Sequence, residues 1–177
     1  MAFERIGGEE AWSGKVIAVQ VDRFRYEDGE EAEREYVRQP DAVTILPFDG
    51  ERLYMVRQPR EAVGEQSLLE LPAGKLDQEG EGAEQTARRE LAEEIGKGAR
   101  EWRELTSFWI SPGFSSERMY LYLATGLYDE QAEADENERI EIVTVPLDAL
   151  DDTIADAHDS KTLVGLLWFR AYLRDAD

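Results

Sequence analysis

The sequence predicts an α+β fold: a helix–sheet–helix sandwich built on a mixed sheet, with additional antiparallel strands at the N-terminus. Three observations point to it. Short runs of strand-like character, bounded by Gly, Pro and Asp turns, recur along the chain. Two stretches, one ending at Ile95 and one starting at Ser160, carry helical spacing. No internal repeat or low-complexity linker separates them, and mixed strands with two main helices pack best as a sheet covered on both faces.

Each element follows from its local pattern. Residues 15–26 (KVIAVQVDRFRY) place Ile17, Val19 and Val21 on one face, and after the polar turn EDGEEAERE a second run begins at Tyr36, which reads as a hairpin. Residues 42–48 and 52–58 flank Asp49-Gly50, a dipeptide that favours a hairpin turn. Residues 68–71 form a short strand running into Pro72-Ala73-Gly74, and a helix follows. Residues 101–110 and 118–127 read as strands separated by SPGFSSE, and residues 139–145 as another. The acidic stretch 129–138 reads as a loop. SKTLVGLLWFRAYL is a C-terminal helix with Ser160 as its N-cap. Residues 1–40 are expected to be strands that are not an independent domain, and residues 41–177 the domain proper.

Composition narrows the function. With 177 residues and 42% hydrophobic content, the chain can bury a core of ordinary domain size. It has no cysteine, so neither a disulfide framework nor a thiolate metal site is available, and its single histidine, His158, excludes a multi-histidine zinc site. A net charge of −20 with no Lys/Arg-rich stripe argues against a nucleic-acid partner. The longest apolar run, residues 163–169, falls short of the roughly 20 residues needed to span a bilayer, and the charged start MAFERIGGEE does not read as a signal peptide. No membrane partner and a cytoplasmic location are the expectation.

The stretch ARRELAEEIG clusters acids where a helix tolerates them least. At about 100° per residue, Glu90 and Glu94 project within about 40° of each other and Glu93 roughly 60° to the other side of Glu90. Like charges at i,i+4 cost about 0.2–0.5 kcal/mol, and acids in a last turn oppose the helix dipole by about 0.3–1 kcal/mol more. Ala83, Ala87, Leu91 and Ile95 recur every four residues as the buried stripe, with Glu90 and Glu94 on its border rather than on the far face. A hard divalent cation, Mg²⁺ or Mn²⁺, would remove the penalty, because carboxylate oxygens suit it. Taken alone, the same pattern is also that of a solvated acidic face.

The flanking residues decide between these. Gly74, Glu81, Arg89, Glu90, Leu91, Glu93, Glu94 and Gly96 fill in order a pattern that resembles the Nudix box, G-x5-E-x7-R-E-U-x-E-E-x-G-U with U an aliphatic residue. The match departs at two places. Six residues rather than five separate Gly74 from Glu81, an excess that Gly80 and Gly82 are expected to absorb with φ values closed to other side chains. Lys97 stands where an aliphatic residue is usual. LLELPAG before the box, SPGFSSE after it and ADENERI further on look like the ADP-ribose pyrophosphatase branch of the Nudix hydrolases, so residues 41–177 are expected to be the Nudix domain.

The resemblance implies a set of roles. Glu90 and Glu94, with the backbone carbonyl of Ala73, would ligate the metals; Glu93 would be a further ligand or support a bound water, held by an ion pair to Arg89. In the ADENER loop Glu136 matches a general base and Glu138 a further ligand. Arg57 and Glu70 are candidate substrate contacts, and Pro112, with Gly113 and Phe114, matches the position associated with ADP-ribose. Trp12, Phe24, Tyr26 and Phe114 are candidates to stack on adenine. The implied reaction is Mg²⁺-dependent hydrolysis of a nucleoside diphosphate sugar, ADP-ribose giving AMP and ribose 5-phosphate. GDP-mannose or another sugar nucleotide, and a non-catalytic sensing module, are the alternatives. A homodimer pairing through the N-terminal strands is the implied assembly.

Overall fold

A computed structural model describes residues 2–132 and 139–176. Ten strands are defined in it: β1 (Phe3–Ser13), β2 (Ala18–Tyr26), β3 (Glu31–Arg38), β4 (Ala42–Pro47), β5 (Arg52–Arg60), β6 (Glu65–Glu70), β7 (Ala73–Lys75), β8 (Lys97–Trp109), β9 (Arg118–Asp129) and β10 (Glu141–Pro146). The helices are α1 (Ala83–Ile95), α2 (Leu150–Ala155) and α3 (Ser160–Ala176). The chain forms two compact units, residues 1–41 with 109–118, and residues 42–108 with 119–177. The segment 109–118 therefore groups with the N-terminal strands.

In the larger unit, β4 explains the layering. All six of its residues are buried. Val43 and Ile45 pack with Ala87, Leu91 and Ile95 of α1, whereas Leu46 joins Leu71, Leu166 and Phe169 on the α3 side. Its neighbour β9 alternates in the same way, with Leu121 and Leu123 toward α3 and Tyr122 and Ala124 toward α1. Alternation on a strand buried from both faces is what a sheet between two helices requires, so the predicted α/β/α sandwich is the observed one. The sheet order is β7-β4-β9-β8, with β4 antiparallel to β7 and parallel to β9.

The Asp49-Gly50 turn forms, but not as a hairpin. Asp49 Oδ1 accepts from the Glu51 and Arg52 amides at 2.9 Å each, and Gly50 adopts a φ of 104°. Beyond one bridge, Phe48 to Leu53, the strands part: β4 joins the four-stranded sheet, and β5 lies between β10 and β6 in another. A turn dipeptide sets the reversal, while the pairing of strands is decided by distant partners.

The smaller unit is a three-stranded antiparallel sheet, β1-β2-β3. The expected hairpin is present as β2 and β3, with a shorter turn than expected, since β3 begins at Glu31 rather than Tyr36; β1, whose residues are mostly exposed and lack apolar alternation, was not legible as a strand. The buried face of β2 is the polar one. Ala18, Gln20 and Asp22 are buried, while Val19 and Val21 are half-buried. Asp22 accepts from Arg5 Nε and Nη2 at 2.7 and 2.8 Å and from the Tyr36 hydroxyl at 2.8 Å, so its burial is compensated by hydrogen bonds.

Candidate active site

The helix α1 begins and ends on glycines. The Gly82 amide donates to the Gln85 side chain at 3.0 Å, and Gly96, at φ 70° in the left-handed region, donates its amide to Ala92 at 3.0 Å and stops the helix. Of the two glycines expected to absorb the longer loop, Gly80 does so with φ 84°; Gly82 is extended at φ −89°, where any residue fits. One positive-φ residue is enough to reverse the chain before the helix.

Arg89 organises the acids. Its Nη1 donates to Glu90 Oε1 at 2.7 Å and to Glu93 Oε2 at 2.9 Å, and its Nε lies 3.2 Å from both oxygens of Glu81. Glu81 also accepts from the Thr86 hydroxyl at 3.1 Å. Burial opposes the charge on Arg89, but Glu90 and Glu93 outweigh it and hold the guanidinium above its ordinary pKa. The crowding that the helix pattern made costly is thus balanced in part from within the chain. Among the described residues no group of three acid, cysteine or histidine side chains stands as a ready metal cage, and the Arg89 guanidinium sits among the box acids.

The turn before the helix meets the other acids. A Cβ on Gly74 would overlap the Glu90 carboxylate, so only glycine leaves that side chain its place. The Ala73 amide donates to Glu94 Oε2 at 3.2 Å, and Glu94 is buried, with 7% of its surface exposed. Two carboxylates on one helix edge, brought against a backbone turn, offer oxygen donors of the kind a hard divalent ion takes. Lys97, at the aliphatic position of the box, lies over the Tyr54 ring at 5.6 Å and donates to Asp129 Oδ1, which raises its pKa.

Other expected residues fall elsewhere. Arg57 lines a cleft of about 610 Å³ with Gln66, Ser67, Arg139 and Glu141, donates to the Ser67 carbonyl at 3.2 Å, and shares that cleft with none of the box acids. Glu70, expected to contact substrate, has no exposed surface: Arg60 Nε and Nη2 reach it at 2.6 and 2.7 Å and Lys161 Nζ at 2.5 Å. Its carboxylate is thus enclosed by two cations. Glu136 and Glu138 lie outside the described residues. Sequence reading missed Arg60 and Lys161; the second arginine of VRQPR and the DSKT start of the last helix were the signals available.

Within the smaller unit, Pro112 and Gly113 line a cleft of about 320 Å³ with Phe3, Phe24, Tyr26 and Arg34. Phe3 meets Phe24 edge-on at 5.4 Å, and Arg34 Nη2 donates to the Tyr26 hydroxyl at 3.0 Å. Phe114 is 58% exposed, and its carbonyl accepts from the Val37 amide at 2.7 Å, tying the loop to β3. Two of the aromatic candidates and the Pro-Gly turn are therefore brought to one cleft.

Comparison with known proteins gives this geometry a family. The model of the NUDIX domain matches residues 38–164. The chain belongs to the Nudix family. It is 38% identical over 170 residues to the ADP-ribose pyrophosphatase of Bacillus subtilis (strain 168), covering 93% of this chain and 91% of that protein. It is 37% identical over 167 residues to the methanol dehydrogenase activator of Bacillus methanolicus, covering 92% and 89%. A crystal structure of an ADP compounds hydrolase superposes with a TM-score of 0.88 at 25% identity, covering 99% of this chain and 96% of that one. The protein is a Nudix hydrolase of the ADP-ribose pyrophosphatase-like kind, and Nudix ADP-ribose pyrophosphatases generally use divalent metal ions.

Proposed function

We propose that this Nudix hydrolase cleaves the diphosphate of ADP-ribose, or a closely related nucleoside diphosphate sugar, with Mg²⁺ or Mn²⁺, releasing AMP and ribose 5-phosphate from ADP-ribose. The observation that carries the reading is the meeting of α1 with the turn before it: Glu90 against Gly74 and Glu94 on the Ala73 amide. The relative named ADP-ribose pyrophosphatase supports the substrate class.

In this reading Glu90 and Glu94, with the backbone at Ala73, would hold a divalent cation. The cation, when bound, neutralises the diphosphate and lowers the pKa of a water. Arg89 keeps Glu93 and Glu90 in place through its two Nη1 hydrogen bonds. Glu136 takes the proton of the attacking water, and Glu138 adds a ligand. Phe24 and Tyr26, with the Pro112-Gly113 turn, offer apolar faces on which a purine can stack. The protein works in the cytoplasm as a homodimer paired through its N-terminal sheet.

A hydrolysis screen with and without Mg²⁺ over ADP-ribose, GDP-mannose, NADH, diadenosine polyphosphates and nucleoside triphosphates tests the substrate. ADP-ribose should give the highest kcat/KM, and Glu90→Gln and Glu94→Gln should each remove most turnover while leaving the fold intact. Wild-type turnover by either variant at saturating Mg²⁺ would sink the assignment. A second reading, activation of a dehydrogenase, is favoured by the Bacillus methanolicus relative; a gain in dehydrogenase rate without turnover of any nucleotide in the screen would support it instead.

A further inference from the structure

A buried polar network links the last helix to the turn that carries the site. At the start of α3, Asp159 Oδ2 accepts from Lys161 Nζ at 2.8 Å, from the Thr162 hydroxyl at 2.7 Å and from the Thr162 amide at 3.0 Å. Lys161 and Thr162 are both buried. From there two contacts cross 91 residues of sequence: Lys161 Nζ donates to Glu70, and the Leu71 amide donates to the Thr162 hydroxyl oxygen at 2.9 Å. Glu70 and Leu71 are the two residues before Pro72-Ala73-Gly74.

Stability alone does not call for this arrangement. A buried ion pair generally adds little over apolar side chains of the same volume, because desolvation offsets the attraction. What charges and directed hydrogen bonds do supply, and apolar contacts do not, is a fixed position. Here the fixed position is that of two consecutive residues, and the chain leaves them directly into the backbone that Glu94 and Glu90 meet. On the side toward the last helix, Gly165 packs so closely on Leu71 that a Cβ there would overlap it, so the helix is held against this turn by apolar contact as well.

We infer that Lys161 and Thr162 are positioning residues for catalysis, acting through Glu70 and the Leu71 amide to set Ala73 and Gly74 where the box acids meet them. This rests on the reading that Glu90 and Glu94 carry the reaction. Neither residue touches substrate. Thr162 supplies the acceptor for the Leu71 amide, and Lys161 shares with Arg60 the fixing of Glu70; losing the Thr162 hydroxyl frees the Leu71 amide, losing Lys161 leaves Glu70 on Arg60 alone, and either change loosens a donor set that must converge on one ion.

The test uses Thr162→Val, Thr162→Ser and Lys161→Met in the full-length protein, with Glu90→Gln as a control for the site itself. Kinetics with ADP-ribose and Mn²⁺ affinity by electron paramagnetic resonance are read on protein shown to be folded by circular dichroism. Thr162→Val should lower kcat at least tenfold with KM changed less than threefold and weaken Mn²⁺ binding severalfold, whereas Thr162→Ser, which keeps the hydroxyl, should retain both. Lys161→Met should behave as Thr162→Val does; if it does not fold, Thr162→Val carries the test. The inference is overturned if folded Thr162→Val keeps wild-type kcat and Mn²⁺ affinity, or if Thr162→Ser falls as far as Thr162→Val. Should Glu90→Gln remain active, the site reading fails instead, and the two failures are distinguishable.

Discussion

Single residues set the tolerances of this site, and Gly74 is the narrowest of them. Its missing side chain is the space that the Glu90 carboxylate fills, so Gly74→Ala should lower kcat more than tenfold while circular dichroism stays unchanged; retained activity would show that Glu90 has another resting place. The eight matched positions of the box were legible because their spacing is local and each has a fixed chemical type. For the opposite reason, the burial of Glu70 was not legible. Its partners Arg60 and Lys161 stand ten and 91 residues away, and nothing in LLELPAG itself tells a buried carboxylate from an exposed one. The cap of the last helix shows the same limit at closer range: the Thr162 amide is bound by Asp159, one residue before the Ser160 expected to cap it, since both residues are good N-caps and only the network selects between them.

At the scale of elements, α1 carries its acids with an internal counter-ion. Replacing Arg89 with Met should destabilise the protein by on the order of 1.5–3 kcal/mol, the range for hydrogen bonds to charged groups, and saturating Mg²⁺ should restore part of the loss. Thermal melts with and without the ion decide this; no metal-dependent recovery would mean that the cation and the guanidinium do not answer the same charge. The N-terminal sheet gives an acid-side prediction. The hydrogen bond from Arg5, aided by Tyr36, holds the Asp22 carboxyl below its ordinary value despite burial. A carboxyl lowered on folding contributes stability that is complete above its unfolded pKa, about 3.9, and is lost as pH falls through the folded value. Protection of the β2 amides, relative to their intrinsic exchange at each pH, should therefore fall below about pH 4, and Asp22→Asn should already show lower protection at neutral pH and lose that acid dependence. Strand identities along β2 to β10 were mostly readable from alternation and turns. Their partners were not, as the Asp49-Gly50 corner shows: β4 serves two cores at once, Val43 and Ile45 in one and Leu46 in the other, and no local pattern names β7 and β9 as its neighbours.

For the whole molecule, the half-buried apolar positions Val19 and Val21 of the N-terminal sheet motivate the proposed homodimer, the commonest closed arrangement for a soluble oligomer. Sedimentation at micromolar concentration should give twice the 20.2 kDa chain mass, and a fully active monomer would refute the pairing. The grouping of residues 109–118 with the N-terminal strands could not be read from sequence, because SPGFSSE sits between two strands whose own positions are set by the other unit. The sandwich, by contrast, was readable from the two helical stripes and the continuous apolar run of β4. Arg89 has one consequence at the scale of the cell. Because it pairs with Glu81, Glu90 and Glu93 within the chain, part of their mutual repulsion is offset before any divalent ion binds. On the proposed metal dependence, protein starved of the ion would persist folded, and resupply would return its turnover without new synthesis.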